Sequence, residues 1–188
     1  MRKQWDTEKK LYTLCILTED TPGILSQVAR LFSRKGYNIE SIVTGSTDRP
    51  HTARLSINIL ADELVVNQLA TQCRRILGVQ AVKVLDEETC VRREIALIKV
   101  RATDHAARDE IIQLANVFRG HIIDIDRESL TVWVFGSQSK NRALIQMLED
   151  FEILEIATTG TIAIERGRST IYDESKLKEE YEYGKNVL

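Results

Sequence analysis

Histidine and cysteine are the residue types with which this chain could hold a metal or carry out covalent catalysis. They lie at six positions: Cys15, Cys73, Cys90, His51, His105 and His121. Their separations match no zinc-binding, thiol-redox or hydrolase motif. Because the cysteines are odd in number and two of them lie in apolar segments, we expect buried, reduced thiols. The sequence therefore predicts no catalytic residue and no metal site in this chain.

A different chemistry is suggested by residues 18–25, TEDTPGIL, which precede a helix-like pattern. Pro22 suits the first turn of a helix, and Gly23 has no side chain to cover the amides that begin it. Such amides, at the positive end of the helix dipole, favour an anion such as a carboxylate. Asp20 either caps the helix or forms an Asx-turn, or its carboxylate accepts hydrogen bonds from an ammonium group. The segment is therefore either an ordinary helix start or a site for a free α-amino acid.

The elements that position this segment follow from the spacing of apolar residues. A strand-like run, LYTLCIL, precedes it; a helix, the strands NIESIVTG and TARLSINIL, a second helix and the strand VQAVKVL follow. The same β-α-β-β-α-β order repeats from REIALIKV onward and ends with ILEIATTGTIAIE. We therefore predict an α+β protein of two ferredoxin-like units in tandem, each an antiparallel sheet with helices on one face. A single eight-stranded sheet is the alternative.

The predicted domains are residues 10–86 and 92–167, followed by a charged tail, residues 168–188. Domains this small bury little apolar surface, so we expect the open face of each sheet to pack on the other domain or on another chain. The tail is expected to be solvated, with an amphipathic helix on a partner as the alternative.

Two predicted helices have a clear apolar face. The first face consists of Ile24, Leu25, Val28, Leu31 and Phe32. The second consists of Val65, Leu69, Cys73 and Ile76. Both recur at helical spacing, and we expect Asp62 to cap the start of the second helix and Gly36 to end the first.

Composition limits the partners of the chain. Its net charge of −2 does not indicate the excess of basic residues that is typical of nucleic-acid-binding proteins. No apolar run approaches the ~20 residues of a membrane span. The first ten residues, MRKQWDTEKK, lack the apolar region of a signal peptide. We therefore expect a cytoplasmic protein that binds neither nucleic acid nor membranes.

RNA-recognition domains share the βαββαβ order and form a rival class. They stack bases on aromatic residues of the central strands. TARLSINIL has no aromatic residue, whereas TVWVFG places Trp133 and Phe135 on one strand face. Because the chain is acidic, we interpret this pair as core packing or an interface, and a filter-binding assay separates the two classes.

One family resemblance covers about residues 11–167. EDTPGILSQVARLFSRKGYNIESI resembles the start of an ACT domain, a ligand-sensing module. LSQVARLFSRKGYNIESI together with VFRGHIID resembles the regulatory small subunit of acetolactate synthase, also called acetohydroxyacid synthase. The resemblance implies a non-catalytic chain that activates a large catalytic subunit carrying thiamine diphosphate, magnesium and FAD. It also implies feedback inhibition in valine, leucine and isoleucine biosynthesis.

The resemblance further implies an effector site, for valine above all, between two ACT domains of a homodimer. Carried over by position, the effector-binding residues are Asp20, Gly23 and Ile24 of one chain, with Asn38 and Ile39 of its neighbour. Asn38 is otherwise a turn residue, and Ile39 is expected mainly to pack.

Asp20 departs from the family pattern, because many relatives have asparagine there. An ionised carboxylate cannot donate a hydrogen bond to the effector carboxylate. Either Asp20 faces the ammonium end of the effector, or valine sensitivity is weakened; we expect retained binding with altered affinity. A tandem ACT amino-acid sensor that regulates a different enzyme, or transcription, is the alternative function.

Overall fold

The computed structural model describes residues 9–174, which form two compact units. One unit holds residues 9–91 and 163–174, and the other is Arg92–Ile162. Each has its own antiparallel sheet, which confirms the α+β prediction and excludes a single eight-stranded sheet. In this part of the chain no helix is long and apolar enough to cross a membrane. Residues 1–8, which belong to the segment for which no signal peptide is predicted, and the tail beyond residue 174 fall outside the described residues.

The first unit has the predicted β-α-β-β-α-β order. Its elements are β1 (Lys10–Glu19), α1 (Ile24–Arg34), β2 (Ser41–Ser46), β3 (Thr52–Ala61), α2 (Glu63–Cys73) and β4 (Val79–Leu85). The strands are arranged β2-β3-β1-β4, and every neighbouring pair is antiparallel. Because β1 is central and has neighbours on both sides, a nearly continuous apolar run suits it.

Both helices cover one face of this sheet. The residues that α1 buries are Ile24, Val28, Leu31 and Phe32. Those that α2 buries are Val66, Leu69, Ala70 and Cys73. Leu25 is 39% exposed and is wrong as a member of the first face. Val65 and Ile76 are half buried against the core, and Ile76 lies beyond the end of α2. In α2 the stripe follows an i, i+3, i+4, i+7 spacing and therefore begins one residue later.

Helix α2 begins as predicted. The Asp62 side chain accepts a hydrogen bond from the Val65 amide at 2.8 Å. This bond satisfies one of the amides that a helix start leaves unpaired, and it confirms Asp62 as the N-cap.

The opposite face of the first sheet is covered by residues 163–174 of the same chain. The Ala163 carbonyl accepts a hydrogen bond from Arg54 at 2.6 Å, and Lys83 forms an ion pair with Glu165. Ile171 is 4% exposed and belongs to an apolar cluster that includes Cys15. Ile171 and Tyr172 therefore pack on the sheet, which differs from the fully solvated tail expected there.

The second unit repeats the order. Its elements are β5 (Cys90–Arg101), α3 (His105–Val117), β6 (His121–Ile125), β7 (Ser129–Gly136), α4 (Gln138–Leu148), a 3₁₀ turn (Glu149–Phe151) and β8 (Ile153–Thr158). The strands are arranged β6-β7-β5-β8, and β9 (Ile162–Glu165) also pairs with β5. ILEIATTGTIAIE is therefore two strands and not the single strand predicted. Gly160, at a φ of 77°, allows the chain to turn between them.

Helices α3 and α4 cover one face of the second sheet. Alternate residues of β5 and β7, including Ile98 and Val132, are fully buried beneath the helices. Trp133 and Phe135 project from the other face, and Phe135 is 44% exposed. Core packing in this unit therefore does not account for the two aromatic residues.

Candidate functional site

The TPG segment forms a tight turn directly before α1. The Ile24 amide donates to the Thr21 carbonyl at 3.4 Å, with Pro22 and Gly23 as the two central residues. Gly23 has a φ of 89° and a ψ of −9°, the values that the third residue of a type II turn requires. Gly23 is therefore the N-cap, and α1 begins two residues after Pro22 instead of at Pro22. A side chain at this φ would be strained.

The start of α1 lacks the cap that the other helices have. In α2, α3 and α4 the side chains of Asp62, Asp104 and Ser137 each accept a hydrogen bond from a first-turn amide. No side chain caps α1. The amides of Leu25 and Ser26, at the second and third helical positions, are therefore available to an external acceptor.

Open space surrounds these amides within the chain. A Cβ atom built on Gly23 would meet no atom within 4 Å. The residues around it, from Asp20 to Gly23, are all exposed. Unpaired amides at a helix start, with room in front of them, are the arrangement that binds carboxylates and phosphates.

Backbone hydrogen bonds from two loops fix the position of Asp20. The Asp20 amide donates to the His51 carbonyl at 2.9 Å, and the Glu19 amide donates to the Gly78 carbonyl at 2.8 Å. The Asp20 side chain does not cap α1, so the local-cap interpretation of this residue is wrong. Asp20 is exposed and lies three residues before Gly23 in the sequence.

The other end of α1 is closed by its own backbone. The Gly36 amide donates to the Ser33 carbonyl at 3.1 Å, and the Tyr37 amide donates to the Phe32 carbonyl at 3.2 Å. Gly36 has a φ of 72°, so these two bonds form a Schellman motif and confirm the predicted C-cap role of Gly36.

Asn38 and Ile39 follow this closed end. Asn38 is exposed, and its amide nitrogen lies 3.4 Å from the Glu40 carboxylate. Ile39 is half buried against the core of the first unit, in agreement with its predicted packing role. An 11-residue helix is about 16 Å long, so a single chain does not bring these residues to Gly23. The five predicted effector-binding residues can meet only if two chains contribute.

Sequence reasoning did not identify Leu25 and Ser26 as contributors to the site. They contribute through their backbone amides, which every residue except proline has, so the residue type does not indicate this role. The available signal was the residue before the helix: glycine cannot supply the side-chain oxygen that serine, threonine, aspartate or asparagine provides at an N-cap.

The histidines and cysteines do not extend this site. His51, His105 and His121 are exposed. All three cysteines are buried and free, as predicted. Burial raises the pKa of the Cys15 thiol, and it raises the pKa of Cys73 from 9.0 to about 12, so both remain protonated at neutral pH. Among residues 9–174, no cluster of three histidine, cysteine or carboxylate side chains could hold a metal ion.

The fold defines a tandem βαββαβ protein, and the uncapped start of α1 gives its first unit a candidate ligand site. A family model for the ACT domain of acetohydroxyacid synthase small subunits matches residues 14–81. A model for the small subunit of acetolactate synthase matches residues 93–167.

Individual proteins agree with these models. The chain is 42% identical over 158 residues to the acetolactate synthase small subunit of Mycobacterium bovis, covering 84% of this chain and 94% of that protein. It is 38% identical over 166 residues to a probable acetolactate synthase small subunit of Methanothermobacter thermautotrophicus, covering 88% and 99%.

A solved structure also matches. The crystal structure of the acetolactate synthase small subunit from Thermotoga maritima superposes with a TM-score of 0.78 at 36% identity, covering 85% of this chain and 99% of that one. The chain therefore belongs to the acetolactate synthase small-subunit family.

Proposed function

We propose that this chain is the regulatory subunit of acetolactate synthase, which activates the catalytic large subunit and mediates feedback inhibition by branched-chain amino acids. Family membership supports the partner, and the uncapped start of α1 supports the effector site. The catalytic partner carries the thiamine diphosphate, magnesium and FAD. This chain supplies no catalytic residue and acts in the cytoplasm.

The effector carboxylate binds the exposed amides at the start of α1. Two amides and the positive end of the helix dipole interact favourably with a negative charge there. Any side chain at position 23 would lie directly in the approach, which explains the use of glycine at the N-cap. Ile24 is 7% exposed within one chain, so its side chain packs in the core beneath the turn and only its backbone contributes to the site.

The neighbouring chain of a homodimer supplies Asn38 and Ile39. The Asn38 side chain can both donate and accept hydrogen bonds, so it can bind either end of a zwitterion. The apolar side chain of Ile39 suits the branched side chain of valine. Because the two sets of residues lie at opposite ends of α1, binding of one effector molecule links two protomers.

Linkage provides the mechanism of inhibition. An effector that binds one arrangement of the ACT pair more tightly shifts the protein towards that arrangement, and the catalytic subunit prefers another. A coupling free energy of roughly 1–3 kcal/mol changes the affinity between the subunits by ~5–150-fold. The same coupling weakens effector binding when the catalytic subunit is bound.

The test is acetolactate formation by the matched large subunit, with and without this chain, while valine, leucine and isoleucine are titrated. We expect turnover to rise on mixing and to fall as valine is added. If the chain binds valine but leaves the synthase unaffected, it is instead an ACT sensor for another enzyme or for transcription. Co-purification of a thiamine-diphosphate-dependent enzyme distinguishes the same alternatives.

A further inference from the structure

The second unit has a cleft of 420 Å³ at one end of its sheet, remote in sequence from the effector residues. It is lined by Arg93, Arg119, His121, Trp133, Phe135, Gly136, Ser137 and Lys140. The lining contains three cationic and three aromatic side chains and no carboxylate. Its volume is within the range of small-molecule sites.

The aromatic residues form a platform on the sheet face that α3 and α4 leave open. His121 pairs with Trp133 across β6 and β7, and their rings stack with centroids 5.3 Å apart and an interplanar angle of 22°. Phe135 lies two residues further along the same face and is 44% exposed. Exposed aromatic faces next to cations are suited to flat heteroaromatic rings.

The cations around this platform are not neutralised by neighbouring carboxylates. Within residues 9–174 the ion pairs involve other basic residues, namely Arg74, Lys83 and Arg101. Arg93 donates only to a backbone carbonyl, that of Arg92 at 2.7 Å, and Lys140 donates to the carbonyl of Phe135 at 3.3 Å. The positive charge of the cleft is therefore available to an anion.

Arg119 occupies a backbone position that favours glycine. It follows α3 with a φ of 52°, and its amide donates to the Asn116 carbonyl while the Gly120 amide donates to the Ala115 carbonyl. The same two-bond motif closes α1, where glycine, Gly36, has the positive φ. An arginine in this position costs backbone free energy. A role for its guanidinium in the cleft accounts for that cost.

The next residue, Gly120, also constrains the backbone at Arg119. A Cβ atom on Gly120 would lie 2.9 Å from the Trp133 carbonyl, so only glycine allows the chain to approach β7 this closely. The backbone of Arg119 is therefore fixed next to β7, and its side chain lines the cleft.

We propose that this cleft binds a nucleoside phosphate, whose base stacks on the platform of His121, Trp133 and Phe135 and whose phosphates bind Arg93, Arg119 and Lys140. Guanidinium groups match phosphate oxygens in two-point hydrogen bonds, and lysine adds a mobile charge. A simple carboxylate would use the cations and leave the rings unused. The site is separate from the effector site at α1, so either can fail without the other.

The experiment uses tryptophan fluorescence of the full chain. The chain has two tryptophans, so Trp5→Phe leaves Trp133 as the only reporter. ADP is expected to quench it saturably at micromolar to millimolar concentrations. Adenosine and pyrophosphate, the two halves of ADP, are each expected to bind at least tenfold more weakly than ADP.

Arg119→Gly in the Trp5→Phe background is the decisive variant. Glycine relieves the backbone cost at a φ of 52°, so the melting temperature should stay constant or rise, while ADP affinity should fall at least tenfold, about 1.4 kcal/mol. Arg119→Lys should restore part of the affinity. Arg142→Ala, an exposed arginine of α4 outside the cleft, should leave ADP binding unchanged.

Three results would overturn the proposal. They are an absence of saturable quenching by ADP, an affinity for ADP that Arg119→Gly leaves unchanged, and pyrophosphate binding as tight as that of ADP. The last would show that the rings contribute nothing to the ligand.

Discussion

Replacing Gly23 by alanine separates the effector role of this residue from its structural role. The added methyl group enters the open space before the uncapped amides, where no atom of the chain lies within 4 Å. Within one chain it therefore causes no steric clash. It does occupy the volume through which an effector carboxylate reaches the amides of Leu25 and Ser26.

The stability cost comes only from the backbone. An alanine at a φ of 89° carries the penalty of the left-handed region, roughly 1–2 kcal/mol. For a unit of this size, each 1 kcal/mol lowers the melting temperature by roughly 4–8 °C. The variant should therefore remain folded at room temperature but melt several degrees lower.

Gly167→Ala is the matched control. Gly167 has a φ of 76°, and a Cβ atom there would also meet nothing within 4 Å, but it lies far from α1 in sequence. Both variants should lose similar stability, whereas only Gly23→Ala should lose valine binding by calorimetry, at least tenfold. If Gly23→Ala binds valine as the parent does, the amides at the start of α1 are not the effector site. If both variants lose binding equally, the loss reflects stability alone.

Three further predictions concern single side chains. Asp20→Asn should tighten valine binding about fivefold, since an exposed carboxylate ~4 Å from another repels it by about 1 kcal/mol in water. An unchanged or weaker affinity by calorimetry would show that Asp20 does not repel the effector carboxylate. Asp109→Asn is the control. Asp62→Ala should lower the free energy of unfolding in urea by about 1 kcal/mol through loss of the α2 cap, and an unaltered midpoint would contradict it. Because burial raises the pKa of Cys73 from 9.0 in the unfolded chain to about 12, the contribution of Cys73 to stability should be complete below pH 9 and should be lost as pH rises towards 12. Cys73→Ala should flatten that fall in urea titrations at several pH values.

Much of the fold could be predicted from local periodicity. The change between strand and helix spacing gave both βαββαβ units, and Asp62 and Gly36 mark helix ends through ordinary capping chemistry. The turn at Gly160 was missed because the threonines on either side of it are also common in strands, so the break in the apolar pattern at residues 158–161 was interpreted as part of one strand. Packing of Ile171 on the first sheet was missed because one apolar residue among charged ones shows no period.

The candidate site could be predicted only in part. The sequence indicated that Gly23 leaves the start of a helix uncovered, but it could not show that, of the helices α1 to α4, α1 alone lacks a side-chain cap. It also gave no indication that Arg119 has a positive φ beside Trp133, because this depends on how α3 ends against β7. Both properties arise from backbone geometry, which residue type constrains only weakly.

The most direct test of the effector site is to follow backbone amide resonances of the isotope-labelled chain by NMR while valine is titrated. Effector binding at the start of α1 should produce saturable shifts concentrated at Gly23, Leu25 and Ser26, with a second group at Asn38 and Ile39. No shift at the start of α1 at saturating valine, or shifts confined to other parts of the chain, would contradict it.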